Sequence, residues 1–149
     1  MTAEELKRAG AIYFENIEEG LRGYRNEIHR ISAPAAFNMF RKMCEERGWE
    51  DVYVDFYYYT LEKTAQEFLS GLLNENERQY LERFRSRGEA LAGKNPAEVF
   101  FPLDETLLAI TAKFNEKEAL FSTFYFAGER KIRSTWWGNF NQEYIVFRD

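Results

Sequence analysis

The stretch LLAITAKFNEKEALFSTFYFAGERKIRSTWWGNFNQEYIVF, residues 107–147, decides how the chain folds. It divides into apolar segments at 107–114, 119–126, 131–137 and 144–148, separated by turn-forming runs at 115–117, 127–130 and 138–142. Segments rich in β-branched and aromatic residues, joined by links this short, predict four strands in an antiparallel meander. Within the second segment the alternate sets are Leu120, Ser122, Phe124, Phe126 and Ala119, Phe121, Thr123, Tyr125. Both sets carry rings, whereas a sheet with one wet face alternates apolar with polar. The second face is therefore expected to be covered by the chain itself, to line a pocket, or to dock on a partner.

Upstream of the meander the pattern is mostly helical. Asn74-Glu-Asn-Glu77 has the form of a capping box and opens a helix carrying Tyr80, Leu81, Phe84 and Leu91 to about Gly93. A short helical turn is expected at Asn95-Pro96-Ala97-Glu98, stopped before Pro102. Thr60 can cap a helix with the face Leu61, Ala65, Phe68, Leu72. Residues 52–59, VYVDFYYY, favour a strand joining one edge of the meander, with Val52, Val54, Phe56 and Tyr58 toward the core. Ser32-Ala33-Pro34 begins a helix that Gly48 ends near Arg47. Thr2-Ala-Glu-Glu5 is another capping box, and the stripe Leu6, Tyr13, Ile17, Leu21, Tyr24, Ile28, Ile31 predicts one long first helix, bent near Gly20 and Gly23. The expected class is α+β, a single domain over 1–149: amino-terminal helices and one strand, then helices, packed on a four-stranded antiparallel meander.

Composition narrows the function. The 149 residues are 45% hydrophobic and 17% aromatic, enough for a core without staples, and the net charge of −5 disfavours general binding to phosphate backbones. No apolar run reaches the roughly 18–20 residues of a membrane span, and the first residues lack the order of a signal peptide, so a soluble cytoplasmic protein of bacterial type is expected. One cysteine, Cys44, and one histidine, His29, make neither a disulfide nor the usual zinc site, and no metal or cofactor is expected. Cys44 lies among Phe37, Phe40 and Met43 and reads as an inert buried thiol. His29 is expected on the surface near the end of the first helix, where the helix dipole favours a cation. No phosphate loop, nucleophile elbow or metalloprotease helix is present.

The residues singled out for contact are Tyr57, Tyr59, Phe121, Tyr125, Arg133, Trp136 and Trp137, with Asp55 beside them as a lining residue of any pocket. Trp136 and Trp137 are informative because strand neighbours point to opposite faces, so one fills the core and the other reaches the second face. Arg78, Arg83, Arg85 and Arg87 make the helix over 75–92 locally basic, but the interleaved Glu75, Glu77, Glu82 and Glu89 favour a salt-bridged solvated face over a nucleic-acid surface. The element order resembles that of cone-shaped α+β folds that enclose an apolar pocket, such as the nuclear-transport-factor-2-like group; the resemblance implies an architecture that serves both enzymes and adaptors. Two main functions follow as expectations, with nucleic-acid contact through the Arg-rich helix over 75–92 as a weaker third. The first is a non-catalytic interaction or regulatory protein that binds a protein partner, or its own copy, through sheet aromatics. The alternative is a small-molecule pocket, enzymatic or not, between helices and sheet.

Overall fold

The computed structural model describes residues 1–92, 99–129 and 132–149, the side chains of 84–92 excepted. Local capping signals set most helix starts. Thr2 and Glu5 form the expected capping box ahead of α1 (Ala3–Arg8), and Asn16 caps α2 (Ile17–Gly23) by accepting from the Glu19 amide. Strand β1 (Arg25–Arg30) follows, and then Ser32 caps α3 (Ala33–Arg47), which Gly48 ends at a φ of 91°. Strand β2 (Val52–Asp55) runs into a 3-10 turn (Tyr58–Thr60), α4 (Lys63–Ser70) and α5 (Glu75–Ala92). The Asn74–Glu77 box that starts α5 is formed in both directions. After β3 (Phe100–Pro102) come α6 (Glu105–Glu116), β4 (Thr123–Phe126), β5 (Ser134–Gly138) and β6 (Glu143–Arg148).

The architecture is α+β, with one antiparallel sheet of six strands among the described residues, in the order β1-β6-β5-β4-β2-β3. Three strands, β4 to β6, form the carboxy-terminal meander; β2 and β3 widen it on one side and β1 on the other. The link between β5 and β6 turns through Asn141 and Gln142, at φ of 61° and 59°, the pair of left-handed residues that a tight hairpin turn of matching twist requires.

Three expectations are corrected here. Residues 107–114 are helical, the body of α6. Asp104 accepts from the Leu107 amide at 2.8 Å as its N-cap, and Leu107, Leu108, Ile110, Ala112 and Phe114 are all buried. A helix enclosed on nearly every side loses its polar face and with it the 3.6-residue signature, so its apolar run resembles a buried strand. Residues 25–30 are an edge strand rather than the end of a long helix: Gly10, at φ 92°, turns the chain after α1, and Tyr24 leaves α2 in extended conformation. In α4 the buried residue is Leu69, followed by Leu73 just beyond the helix, whereas Phe68 is 68% exposed and Ala65 is open to solvent. The expected turn at 95–98, the side chains of Phe84 and Leu91, and the first residue of the expected strand at 131–137 lie outside the described residues.

The two faces of the sheet are closed differently. On one, Val54, Phe124, Phe126, Trp136, Tyr144 and Val146 meet α3 and α6, with the Phe40 ring at 4.7 Å from Phe124 and 5.1 Å from Trp136. On the other, the amino-terminal arm lies across the strands. Leu6 and Ala11 pack with Phe100, Tyr125 and Ala127; Ile12 and Phe14 pack with Phe147. Thr135 Oγ1 donates to the Ile12 carbonyl at 2.6 Å and Arg133 donates to the Gly10 carbonyl at 3.4 Å, which pins the arm. Gly10 is required there: a Cβ would sit 2.6 Å from the Gly128 carbonyl oxygen. Much of the excess of rings in the meander is thus absorbed by residues 6–14.

A buried amide ties α6 to the sheet. Asn115 accepts from the Ser122 amide at 2.7 Å and donates to the Ser122 carbonyl and the Tyr144 hydroxyl at 3.2 and 3.1 Å. Asn115→Ala leaves the buried Ser122 N–H without its acceptor and is expected to lower stability by about 2 kcal/mol; urea denaturation of the two proteins checks it.

Candidate functional site

The sequence candidates do not converge on one cavity. Trp136 is buried at the helix-covered face, its indole donating to Ser134 Oγ at 3.0 Å. Tyr59 donates to the Leu81 carbonyl at 2.8 Å and packs edge-on to Phe56 and Tyr58. Arg133 is held near the chain end by a bidentate pair with Asp149 at 2.6 and 2.7 Å. These three do structural work in separate places. His29 lies on β1, with Nε2 2.9 Å from Glu27 Oε1 and its ring 5.6 Å from that of Trp136. That is several strands from Asp55, since β6, β5 and β4 intervene. Cys44 is buried and its thiol is pushed up to about 11, chiefly by desolvation, which fits an inert thiol.

The remaining candidates gather at one end of the second face, where β2 ends and β4 begins. Asp55, the last residue of β2, is buried, and Oδ1 accepts from the Thr123 amide at 2.7 Å. Desolvation pushes its carboxyl up to about 7, only partly offset by that hydrogen bond. Tyr125 and Tyr57 come from the neighbouring strand and the turn after β2, and Tyr13 comes from the arm. Burial is the main cause that raises all three phenols, and each is raised further by the Asp55 charge. Tyr125 is buried against Phe100, with ring centroids 6.0 Å apart, while Tyr57 is 40% exposed.

Aromatic residues continue along the same end. Trp137, half-buried, stacks on Phe14 at 5.7 Å; Phe121 meets Phe140 edge-to-face at 4.9 Å, and Phe140 is 58% exposed. Glu15 and Glu19 lie close enough to Tyr13 to raise its phenol, and Glu15, Glu18 and Glu19 are exposed. The end of the sheet is therefore an aromatic rim with acidic groups beside it. Neither Tyr13 nor the arm was singled out as a site by sequence reasoning, because Tyr13 was absorbed into the stripe of a long helix and Phe14 lay off that stripe. Gly10 and the Asn16 cap were the signals that bracketed an extended segment between two helices.

A groove of about 420 Å³ lies in the helical layer, lined by residues that include Pro34, Phe37, Leu72, Ala109 and Lys113. None of Asp55, Tyr57, Tyr59, Arg133 and Trp136 lines it. Lys113 is engaged with Glu77 at 2.5 Å, and Glu116 accepts from the Ala33 amide at the start of α3, so these polar groups of the groove are matched within the chain. On α5, Arg78 donates to the Leu73 carbonyl at 2.5 Å and pairs with Glu75 at 3.3 Å, closing the link from α4; the side chains of Arg85, Arg87 and Glu89 lie outside the described residues. Among the described residues no three His, Cys, Asp or Glu side chains come together as a metal site, and no helix is long and apolar enough to cross a membrane.

The chain matches no family model, and no curated protein or solved structure resembles it at a significant level.

Proposed function

We propose that this protein is a non-catalytic interaction protein whose contact with a protein partner runs over the aromatic rim at the end of the sheet. The observation that carries the reading is the rim itself: Tyr57, Phe121, Trp137 and Phe140 stand open or half-open at an end where the arm stops covering the sheet. Aromatic residues of this kind, exposed beside a rigid scaffold, are the residue types that dominate protein contacts. The flanking Glu15, Glu18 and Glu19 select a basic partner surface.

A photo-crosslinking side chain placed at Tyr57 or at Phe140 in cells that make the protein tests the proposal. Both positions are expected to give the same protein adduct, weakened by Glu15→Lys with Glu19→Lys. A crosslinker at Phe68, exposed on α4, is expected not to give it. Equal adducts from Phe68, or none from the rim, would end this reading.

A second reading rests on Asp55. A carboxyl near 7, surrounded by three phenols, is poised to exchange a proton at neutral pH, and such groups collect at binding and catalytic sites. Its ligand would be a small polar molecule entering beside Tyr57. A compound that raises the melting temperature of the wild type but not of Asp55→Asn supports it; one that raises both equally does not bind here.

A further inference from the structure

Strand β1 is an edge strand in which every residue but His29 is exposed, so nothing in the described chain covers its outer side. The Ile31 amide donates to the Gln142 carbonyl at 2.8 Å, which fixes the alternation: Arg25, Glu27 and His29 turn their backbone groups toward β6, and Asn26, Ile28 and Arg30 turn theirs outward. Natural edges of this kind are guarded by charged side chains, proline, bulges or a covering element. Here there is no proline, and the polar side chains are engaged within the chain: Arg25 donates to the Asp149 carbonyl at 2.5 Å, Arg30 pairs with Glu143 at 3.4 Å, and Glu27 lies 2.9 Å from His29. Asn26 donates to the Leu21 and Tyr24 carbonyls at 3.3 and 3.1 Å, which leaves Ile28, an apolar residue 63% exposed.

We infer that β1 pairs with β1 of a second copy of this chain, antiparallel, about a twofold axis at Ile28, joining the two sheets into one. The register follows from the residues. Outward-facing backbone groups must meet each other, which restricts the axis to a few positions along the strand. An axis at Glu27 would set Glu27 against itself and Arg25 against His29. An axis at His29 would set His29 against itself and Arg30 against Ile28. An axis at Asn26 would use only the first half of the strand. An axis at Ile28 sets Ile28 against Ile28, Asn26 against Arg30, and Glu27 against His29 of the second copy, twice. It uses the strand from Asn26 to Arg30 and sets the Glu27 carboxylate opposite the His29 imidazole in each pair. The contact is small, so the dimer belongs to the weak, micromolar class.

Sedimentation equilibrium of the full chain between about 5 and 200 µM tests this. The wild type is expected to dimerise across that range, and Ile28→Lys is expected to raise the dissociation constant at least about tenfold. The Ile28 side chain is largely in solvent, so this variant keeps its fold. Glu27→Lys and His29→Glu are each expected to weaken the dimer, and the two together to restore it. Mild oxidation reads the axis directly. Ile28→Cys is expected to crosslink, since residues on the axis lie within disulfide reach, and Glu27→Cys is not, because the two copies are two residues out of register. Cys44 is buried and does not interfere. A wild type that stays monomeric throughout, or a dimer indifferent to Ile28→Lys, would overturn the inference, and crosslinking through Glu27→Cys alone would overturn the register.

Discussion

At pH 8 the Asp55→Asn variant is expected to be more stable than the wild type, by up to about 4 kcal/mol, and the difference is expected to vanish near pH 4. The direction comes from proton counts. Asp55 titrates near its ordinary value of 3.8 when the chain is unfolded and at about 7 when it is folded, because burial penalises the carboxylate. Between these values the folded protein holds a proton that the unfolded chain has released, so the contribution of this group is full below about 4 and is lost as the pH rises through 7. Asparagine keeps the acceptor for the Thr123 amide and has no proton to lose. Other carboxylates contribute the same pH dependence to both proteins and cancel in the difference. Urea denaturation of both proteins at half-unit steps between pH 4 and 8.5 measures it. A difference that does not change with pH, or a variant less stable than the wild type at pH 8, would mean that the folded state does not hold the Asp55 carboxyl above its ordinary value.

A carboxyl that lowers stability at neutral pH, where an amide would serve as well for packing, is the kind of residue retained for binding or proton exchange rather than for the fold. Its neighbours Tyr57 and Tyr13 are also the residues that join the buried end of the sheet to the open rim. Partner binding over the rim would bury Tyr57, desolvate Asp55 further and push its carboxyl higher still. Both readings of the site therefore make the Asp55 titration a reporter of occupancy.

The reach of the sequence was set by how local each signal is. Capping boxes at Thr2 and Asn74, the Ser32–Pro34 helix start and the Gly48 stop depend on contacts within four residues, and each is where the pattern put it. The two largest departures, α6 and β1, depend on distant chain. The apolar run over 107–114 became a helix through a single cap at Asp104 and enclosure by α3 and the sheet. The run over 25–30, with one apolar residue in six, is a strand because β6 pairs with it along its whole length. The doubled ring content of the 119–126 segment was legible, and it left open whether the chain itself, a pocket or a partner closes the second face. What supplied that cover was not legible, because the periodicity of residues 6–31 satisfied a helix by coincidence: Leu21 and Ile28, two members of that stripe, are exposed. The seven candidate residues were chosen as rings or charges on strands, which identifies what is adhesive but not which residues share an end of the sheet. Register and strand order separated Trp136 and Arg133 from Tyr57, Trp137 and Phe121.

Phe14→Ala is expected to cost about 3–5 kcal/mol, enough to leave a marginally stable domain partly unfolded. Phe14 is the plug of the arm. Its ring lies 5.7 Å from Trp137 and 4.7 Å from Phe147, and it rests so closely on Gly20 that a Cβ there would come within 2.5 Å of the ring. Alanine leaves a cavity bounded by Trp137 and Phe147, with too little chain on the arm to collapse into it. The loss should appear twice: as a lower urea midpoint, and as a red shift of tryptophan emission with dye binding as Trp137 gains water. Phe68→Ala, at an exposed position on α4, is the matched control and is expected to change stability by less than about 0.5 kcal/mol. If Phe14→Ala behaved like the control, the arm would not be bound to the sheet in solution. The second face would then be open from Phe147 to Tyr125, and the contact surface would be the whole face rather than its rim. A full loss of stability fixes the arm as part of the core and leaves the rim as the open aromatic part of that face.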